Sequence, residues 1–248
     1  MSGSEAGAGV PDPDGPVHRF LGARVSARQA AFRSGSDAVL LAAACPARAG
    51  EAVLDLGCGA GVAMLCVAAR VPGARLAGLE RDPAAAALAR ANAPEAEVIE
   101  GDALDPPPAA RRQWDHVICN PPYFAAGAGA AAADPAREAA LREAAPGDLG
   151  AWMAAACRRA GPKGSVTAIT RAERLADLLG ALAPRLGDLR VLPLAPRGGA
   201  PAHRVIVRGR KGARAPLRLL APLVLHDGDG HTAAAEAVLR DAAALTLR

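Results

Sequence analysis

The sequence predicts an α/β protein of Rossmann-like type, with a mostly parallel sheet, helices on both faces and antiparallel late strands. Three observations predict it. Short apolar runs of strand length alternate with longer segments of helical period. One such strand, Ala52–Leu56, leads into the glycine cluster Gly57-Cys58-Gly59-Ala60-Gly61 and then into the helical pattern Val62–Arg70. The strands that follow each end on a polar residue: Glu80, then Asp102 after Gly101, then Asn120. The carboxyl ends of adjacent parallel strands converge on one crevice, so these residues should share a site with Asp55 and the glycine turn.

Residues 1–16 are rich in Gly, Pro, Ser and Asp without apolar period and read as a disordered tail, leaving a single domain over 17–248. The tail lacks the basic start and apolar stretch of a signal peptide, and no run of ~18–20 apolar residues follows. A cytoplasmic protein without a membrane partner is expected. After the strand at 52–56 come strands at 75–79, 97–100 and 114–119, with Asp82 and Asp105 as helix-cap or turn residues. The Ala/Gly-rich stretch 125–133 reads equally as a mobile lid or as a plain solvent loop. Residues 149–159 read as a crossover helix ended by Gly161-Pro162, 164–170 as a fifth strand and 171–182 as an amphipathic helix. Late strands are expected at 189–194, 204–207 and 219–226, the last pairs antiparallel at one edge of the sheet.

A chain of 248 residues, 51% apolar and 22% charged, builds one sizeable core and is globular in composition. Five cysteines, an odd number without C-x-x-C spacing, support neither a disulfide framework nor a zinc site, and no metal is expected. Cys58 and Cys119 adjoin the motifs but read as small buried thiols. The five histidines lack metal-ligand spacing, and Trp114 and Trp152 read as core. Net charge is +4, and its distribution is uneven: residues 185–248 hold 11 basic and 5 acidic side chains. Between Arg190 and Arg218 there are eight basic residues and no acidic one. Arg208, Arg210 and Lys211, with Arg204, Arg214 and Arg218, are therefore candidates for contacting the phosphates of a nucleic acid. GC-rich codon bias acting on ordinary surface charge is the competing explanation.

The only tyrosine stands in Asn120-Pro121-Pro122-Tyr123, followed by Phe124, at the exit of the apolar run 114–119. Such a tetrapeptide suits methylation of an amino nitrogen conjugated to a π system, as in adenine N6 or a carboxamide. That lone pair is delocalised and a poor nucleophile. If the Asn120 side-chain oxygen and the Pro121 carbonyl each accept one N–H, the amino group is held and its lone pair is localised toward an incoming methyl. Pro121 and Pro122 fix φ and remove two donors, leaving acceptors where the substrate presents donors. Tyr123 offers a flat face for stacking, worth ~1–3 kcal/mol for a base. On the cofactor side, Glu80 stands about twenty residues after the glycines, where a carboxylate can hold a ribose diol. Asp102 is placed to meet an adenine amino group.

The order D-L-G-C-G-A-G, L-E, G-D-A, N-P-P-Y resembles the class I S-adenosylmethionine-dependent methyltransferases of the amino-methylating branch. The segment 22–44, with Arg33-Ser34-Gly35-Ser36-Asp37 before Leu40-Leu41, is similar to the start of the bacterial tRNA(Val) adenine-N6-methyltransferase family, where a basic residue and G-T-D precede a Leu-Leu helix. Ala202-His203-Arg204-Val205-Ile206-Val207 and residues 223–232 are similar to its closing strands and the start of its last helix, so the resemblance spans about residues 18 to 243. It implies one methyltransferase domain with a seven-stranded sheet and S-adenosyl-L-methionine as cofactor, held by Gly57, Gly59 and Gly61 with Asp55, Glu80 and Asp102, and closed over by Ser36 and Asp37. Asn120, Pro121 and Tyr123 would then be catalytic, with Pro122 and Phe124 against the base. This chain departs from the family in Ser36 for Thr, in the Ala/Gly-rich stretch after Phe124, and at Ala140-Leu141-Arg142-Glu143, which lacks an Arg-His-like pair.

The function expected is methyl transfer to adenine N6 in RNA, foremost tRNA near the anticodon, by a monomer. Protein glutamine N-methylation fits the same tetrapeptide, but that branch carries an extra N-terminal helical domain. A DNA adenine methyltransferase would need added recognition sequence, and an NAD oxidoreductase would need a hydride-transfer acid or base near Asn120. A non-catalytic RNA-binding module is the remaining alternative.

Overall fold

The computed structural model describes residues 16–29, 35–122 and 148–248. Tyr123, Phe124, Arg33, the 125–133 stretch and residues 140–143 lie outside the described residues. The chain opens with an antiparallel hairpin of β1 (Val17–Phe20) and β2 (Val25–Arg28). Then α1 (Ser36–Ala44), β3 (Ala52–Leu56), α2 (Val62–Arg70), β4 (Arg75–Glu80), α3 (Pro83–Asn92), β5 (Glu97–Glu100) and β6 (Trp114–Cys119) alternate. After the gap come α4 (Asp148–Arg159), β7 (Ala160–Arg171), α5 (Leu175–Leu182), β8 (Gly187–Arg197) and β9 (Arg204–Arg210). Short strands β10 (Arg218–Leu219), β11 (Leu223–Asp227) and β12 (Gly230–His231) precede α6 (Ala233–Asp241).

The main sheet runs β12-β11-β8-β9-β7-β6-β3-β4-β5, with β10 also beside β8. The sheet has ten strands where seven were expected: the seven from β5 to β8 form the Rossmann-like sheet, and β10, β11 and β12 extend it beyond β8. From β5 to β7 every pairing is parallel, and β9 lies antiparallel between β7 and β8. An antiparallel late strand was expected at the edge. It is found there only as the short β12, while β9 is inside the sheet, where its Val205, Ile206 and Val207 are buried on both faces. Residues 219–226 do not form one strand. Pro222, which has no N–H to donate, divides them, and β10 and β11 continue one another along the outer side of β8.

Strand alternation builds two cores. Leu54, Leu56, Leu79, Val117, Val166 and Val207 face α4 and α5, whereas Val53, Ile118, Ile169, Ile206 and Leu194 face α1, α2 and α6. Both sheet faces are thus covered, and the strands read as nearly continuous apolar runs for that reason. Each such side chain contributes ~1.5–3 kcal/mol on burial. Asp82 caps α3 by accepting the Ala84 N–H at 3.0 Å, with Pro83 supplying the preset φ of a first helical residue. The 171–182 helix begins later than expected: β7 continues to Arg171 and a 3-10 turn, Ala172–Arg174, intervenes. All five cysteines are free and buried; burial raises the thiols of Cys45 to about 11 and Cys66 to about 12, so they are inert packing groups. Among the described residues no helix is long and apolar enough to cross a membrane.

Candidate active site

The register sets which residues meet. Leu79, Leu56 and Cys119 lie level across β4, β3 and β6, and Cys119 is level with Ala168 of β7. Glu80, the glycine turn and Asn120 therefore leave the sheet side by side at its carboxyl edge, with Asp102 just past β5. Arg204, at the start of the antiparallel β9, is level with Arg171 on the same edge.

The glycine turn is stapled to the next strand. Gly57 N–H and Cys58 N–H both donate to the Leu79 carbonyl, at 2.8 and 3.1 Å, and Gly59 N–H donates to Glu80 Oε2 at 2.8 Å. Gly57 and Gly59 have φ of +75° and +54°, the left-handed region that favours glycine. A Cβ on Gly57 would stand 2.5 Å from the Trp152 ring, while one on Gly59 would meet nothing within 4 Å. The turn is thus packed from one side by Trp152 and open above Gly59, a cradle for a ligand that approaches backbone. Gly61, at φ +82°, is the N-cap of α2 and gives that helix no side-chain cap. The first turn of α2 is capped from below instead, because the Asp55 carboxyl accepts the Met64 N–H.

Asp55 is 3% exposed, and its Oδ2 is buried with no hydrogen-bond partner. It supports the turn from beneath. Burial first, then the Glu80 charge, push its carboxyl up to about 7, and the Met64 N–H acts in the opposite sense. Glu80 accepts the Gly59 N–H on one oxygen and the Asp82 N–H on the other at 2.9 Å, and each oxygen retains a second lone pair for a diol. Asp102 is exposed and uses Oδ1 to close a turn onto Leu104 N–H at 2.8 Å. These donor and acceptor types fit a nucleoside cofactor laid across the strand ends.

On the other side of the crevice, Asn120 is half-buried with its Oδ1 enclosed, Pro121 is buried and Pro122 half-buried. Ser36 opens α1, exposed, and Asp37 follows in its first turn. Asp37 Oδ2 accepts Arg204 Nε at 2.8 Å, a contact across 167 residues that fastens the start of α1 to the carboxyl edge. Two residues thus take roles that sequence reasoning did not give them. Arg204, read as a phosphate contact, holds Asp37. Trp152, read as core, packs on the core and also against Gly57. An aromatic one turn into a helix carries no sequence signal for such a contact; a long-range Asp-Arg pair carries none either.

Arg208, Arg210 and Lys211 do not join this site. β9 runs down the sheet, so Arg210 lies level with Ser165 and Gly187 at the amino edge, about 13 Å along the strands from the level of Asn120. Arg208 donates to the carbonyls of Ala44 and Leu247, and Lys211 Nζ donates to those of Cys157 and Ala160 at the end of α4. In the free protein these two cations satisfy backbone carbonyls of the fold.

A glycine turn, a ribose-type acid and an N-P-P exit aligned at the carboxyl edge of a sheet with one antiparallel strand inside it define a class I methyltransferase. The methyltransferase small domain model matches residues 30–148. A tRNA1(Val) (adenine(37)-N6)-methyltransferase of Dickeya chrysanthemi is 31% identical over 85% of this chain and 87% of that protein, and the chain belongs to this family. Its counterpart in Shewanella amazonensis is 40% identical over 37% of this chain and 42% of that protein. Among solved structures, a predicted O-methyltransferase, protein Atu636 from Agrobacterium tumefaciens, is similar with a TM-score of 0.70, 28% identity and coverage of 86% and 99% of the two chains. TrmN from Thermus thermophilus shares the fold at a TM-score of 0.50 and 24% identity, over 70% of this chain and 48% of that one.

Two outcomes follow from this geometry. The folded Asp55 carboxyl lies above the unfolded value of about 3.9, so the native state keeps a proton that the unfolded chain has released, and stability falls as pH rises from about 4 to about 7. Asp55→Asn should flatten that slope, the variant losing less melting temperature than the wild type between about pH 5 and about pH 8; equal slopes in thermal melts would contradict the buried, raised carboxyl. The chain has two tryptophans, and only Trp152 touches the glycine turn. A nucleoside ligand should change tryptophan emission in the wild type and in Trp114→Phe but not in Trp152→Phe, and a response that survives in Trp152→Phe would remove that residue from the site.

Proposed function

We propose that this protein transfers the methyl group of S-adenosyl-L-methionine to N6 of an adenine in tRNA, near the anticodon. The observation that carries the reading is the Asn120-Pro121-Pro122 exit of β6, set beside the glycine turn and Glu80 at one sheet edge. The cofactor supplies a methyl group on a cationic sulfur. Gly57, Gly59 and Gly61 let it lie close to backbone, Glu80 binds its ribose hydroxyls, Asp102 takes its adenine amino group, and Ser36 and Asp37 close over its amino-acid end. Arg204 keeps Asp37 oriented for that task.

The substrate half works by accepting hydrogen bonds. Asn120 Oδ1 takes one N6 hydrogen and the Pro121 carbonyl the other, which localises the lone pair toward the methyl donor. Neither proline brings a competing N–H. Tyr123 stacks on the adenine once it leaves its loop, and Phe124 borders it; both roles rest on the N-P-P-Y pattern. The methylated nitrogen sheds its proton after transfer, so no strongly basic side chain is required. The curated relatives are named for adenine 37 of tRNA1(Val), and that name favours RNA over the glutamine side chain of a protein.

Asn120→Ala should lower the rate of methyl transfer ~10²–10³-fold, because it removes one preorganised acceptor, while leaving cofactor affinity nearly unchanged. The assay is nucleoside mass spectrometry of unmodified tRNA incubated with enzyme and cofactor, read as N6-methyladenosine. A variant that keeps most of its turnover would make the N-P-P-Y loop structural, and methyl groups found on glutamine with none on RNA would replace the substrate.

A further inference from the structure

Three chain segments without acidic side chains meet at the amino edge of the sheet, on the half formed by β7, β9 and β8. The first is the end of α4 and the start of β7, residues 157–164, with Arg158 and Lys163 exposed. The second is the 178–187 stretch, with Arg185 exposed. The third is 208–219, with Arg210, Arg214 and Arg218 exposed. Hydrogen bonds join them: Lys211 N–H to the Gly164 carbonyl, Lys211 Nζ to Cys157 and Ala160, and Asp188 N–H to the Ala215 carbonyl. Asp188 is 15% exposed and bound to Arg190 at 2.7 Å, and Asp115 of β6, beside Gly164, is exposed and accepts the Ala52 N–H.

This clustering is a property of the fold, not of composition alone. Of the eight basic residues from Arg190 to Arg218, five are committed to Asp188, Asp37 or backbone carbonyls. The side chains of Arg210, Arg214 and Arg218 make no hydrogen bond or ion pair among the described residues. They point the surplus charge outward. The other half of the same edge contrasts with it, because Arg112 there is paired with Glu97 and stacked over Trp114, and His116 meets Glu51 at 2.9 Å. Cations without an ion pair are denser on the β7-β9-β8 half, whereas the other half adds only Arg48 and Arg75 at the starts of β3 and β4; the basic half continues onto β10, where Leu217 just before it and Leu219 within it are 46% and 67% exposed.

We propose that this face is a second RNA-contact surface, which grips the phosphate backbone of the substrate away from the reacting adenine. The proposal rests on the RNA substrate proposed above and adds where that RNA is held. Arg210 lies about 13 Å along the strands from the level of Asn120, and Arg218 lies about 14 Å across them, three strands over from β7. One flipped nucleotide does not span that distance. The cations must meet backbone in the adjoining stem, and arginine suits phosphate oxygens through its planar fork of donors.

The test compares wild type with the triple variant Arg210→Glu, Arg214→Glu, Arg218→Glu, all three side chains being exposed and without fold partners. Binding to an unmodified tRNA(Val) transcript is followed by fluorescence anisotropy across a salt series, alongside melting temperature and S-adenosylhomocysteine affinity. Three lost phosphate contacts should lower the slope of log K against log salt by about 2–2.7 and weaken binding at low salt by roughly tenfold or more, with melting temperature and cofactor affinity at wild-type values. An unchanged salt slope in an enzyme that still methylates tRNA overturns this face and leaves the activity standing. Absence of N6-methyladenosine with the wild type overturns the activity itself. Wild-type binding to phosphatidylserine vesicles as tight as to tRNA, lost in the variant, would assign the face to an anionic membrane and overturn the proposal.

Discussion

The hydrogen bonds that fasten the glycine turn to β4 carry the rest of the site. Two turn N–H groups share the Leu79 carbonyl and a third goes to Glu80, so the turn cannot shift without breaking the end of the neighbouring strand. Asp55 secures the same turn from beneath by holding the first turn of α2, and Trp152 closes it from the side. A carboxyl without a partner on one oxygen is a costly group to bury, and it stays buried because the turn above it needs a fixed floor. Glu80, which accepts the Gly59 and Asp82 N–H groups, is thereby part of the scaffold of the turn.

The crevice divides by charge along the sheet. Over β3, β4 and β5 it presents the carboxylates of Glu80 and Asp102, groups that accept hydrogen bonds. Past β6 the edge carries Arg171, Arg174 and Arg204, each paired with a carboxylate: Glu173, Asp177 and Asp37. These pairs neutralise that part of the rim. Arg210, Arg214 and Arg218, which lack carboxylate partners, are at or toward the opposite edge. The proposed site and the proposed phosphate contact are therefore separated by the length of the central strands, with β9 running from Arg204 at the one to Arg210 at the other.

Much of this was legible in the residues. Parallel strands buried on both faces appear as apolar runs, and a run that ends on Gly-x-Gly-x-Gly, Glu or Asn-Pro-Pro announces its own carboxyl end; the positions of Asp55, Glu80, Asp102 and Asn120 followed from that alone. The β1–β2 hairpin did not announce itself, because its residues show no run longer than four and its pairing is set by a turn at 21–24 containing Gly22 at φ +59°. The roles of arginines were least legible. A basic stretch looks uniform in sequence, yet one strand places Arg204 against Asp37, Arg208 under the Ala44 and Leu247 carbonyls, and Arg210 in solvent. Those fates depend on which sheet edge and which face each residue reaches, and the antiparallel insertion of β9, which sets both, is a tertiary fact.

The account stands on a carboxyl edge built for a sulfur nucleoside, and calorimetric titration of the purified protein tests that most directly. It predicts one-to-one binding of S-adenosylhomocysteine, weakened about tenfold or more when Glu80→Ala removes both the ribose acceptor and the Gly59 tie, with no heat from NAD. Binding of NAD without response to S-adenosylmethionine or S-adenosylhomocysteine would contradict it.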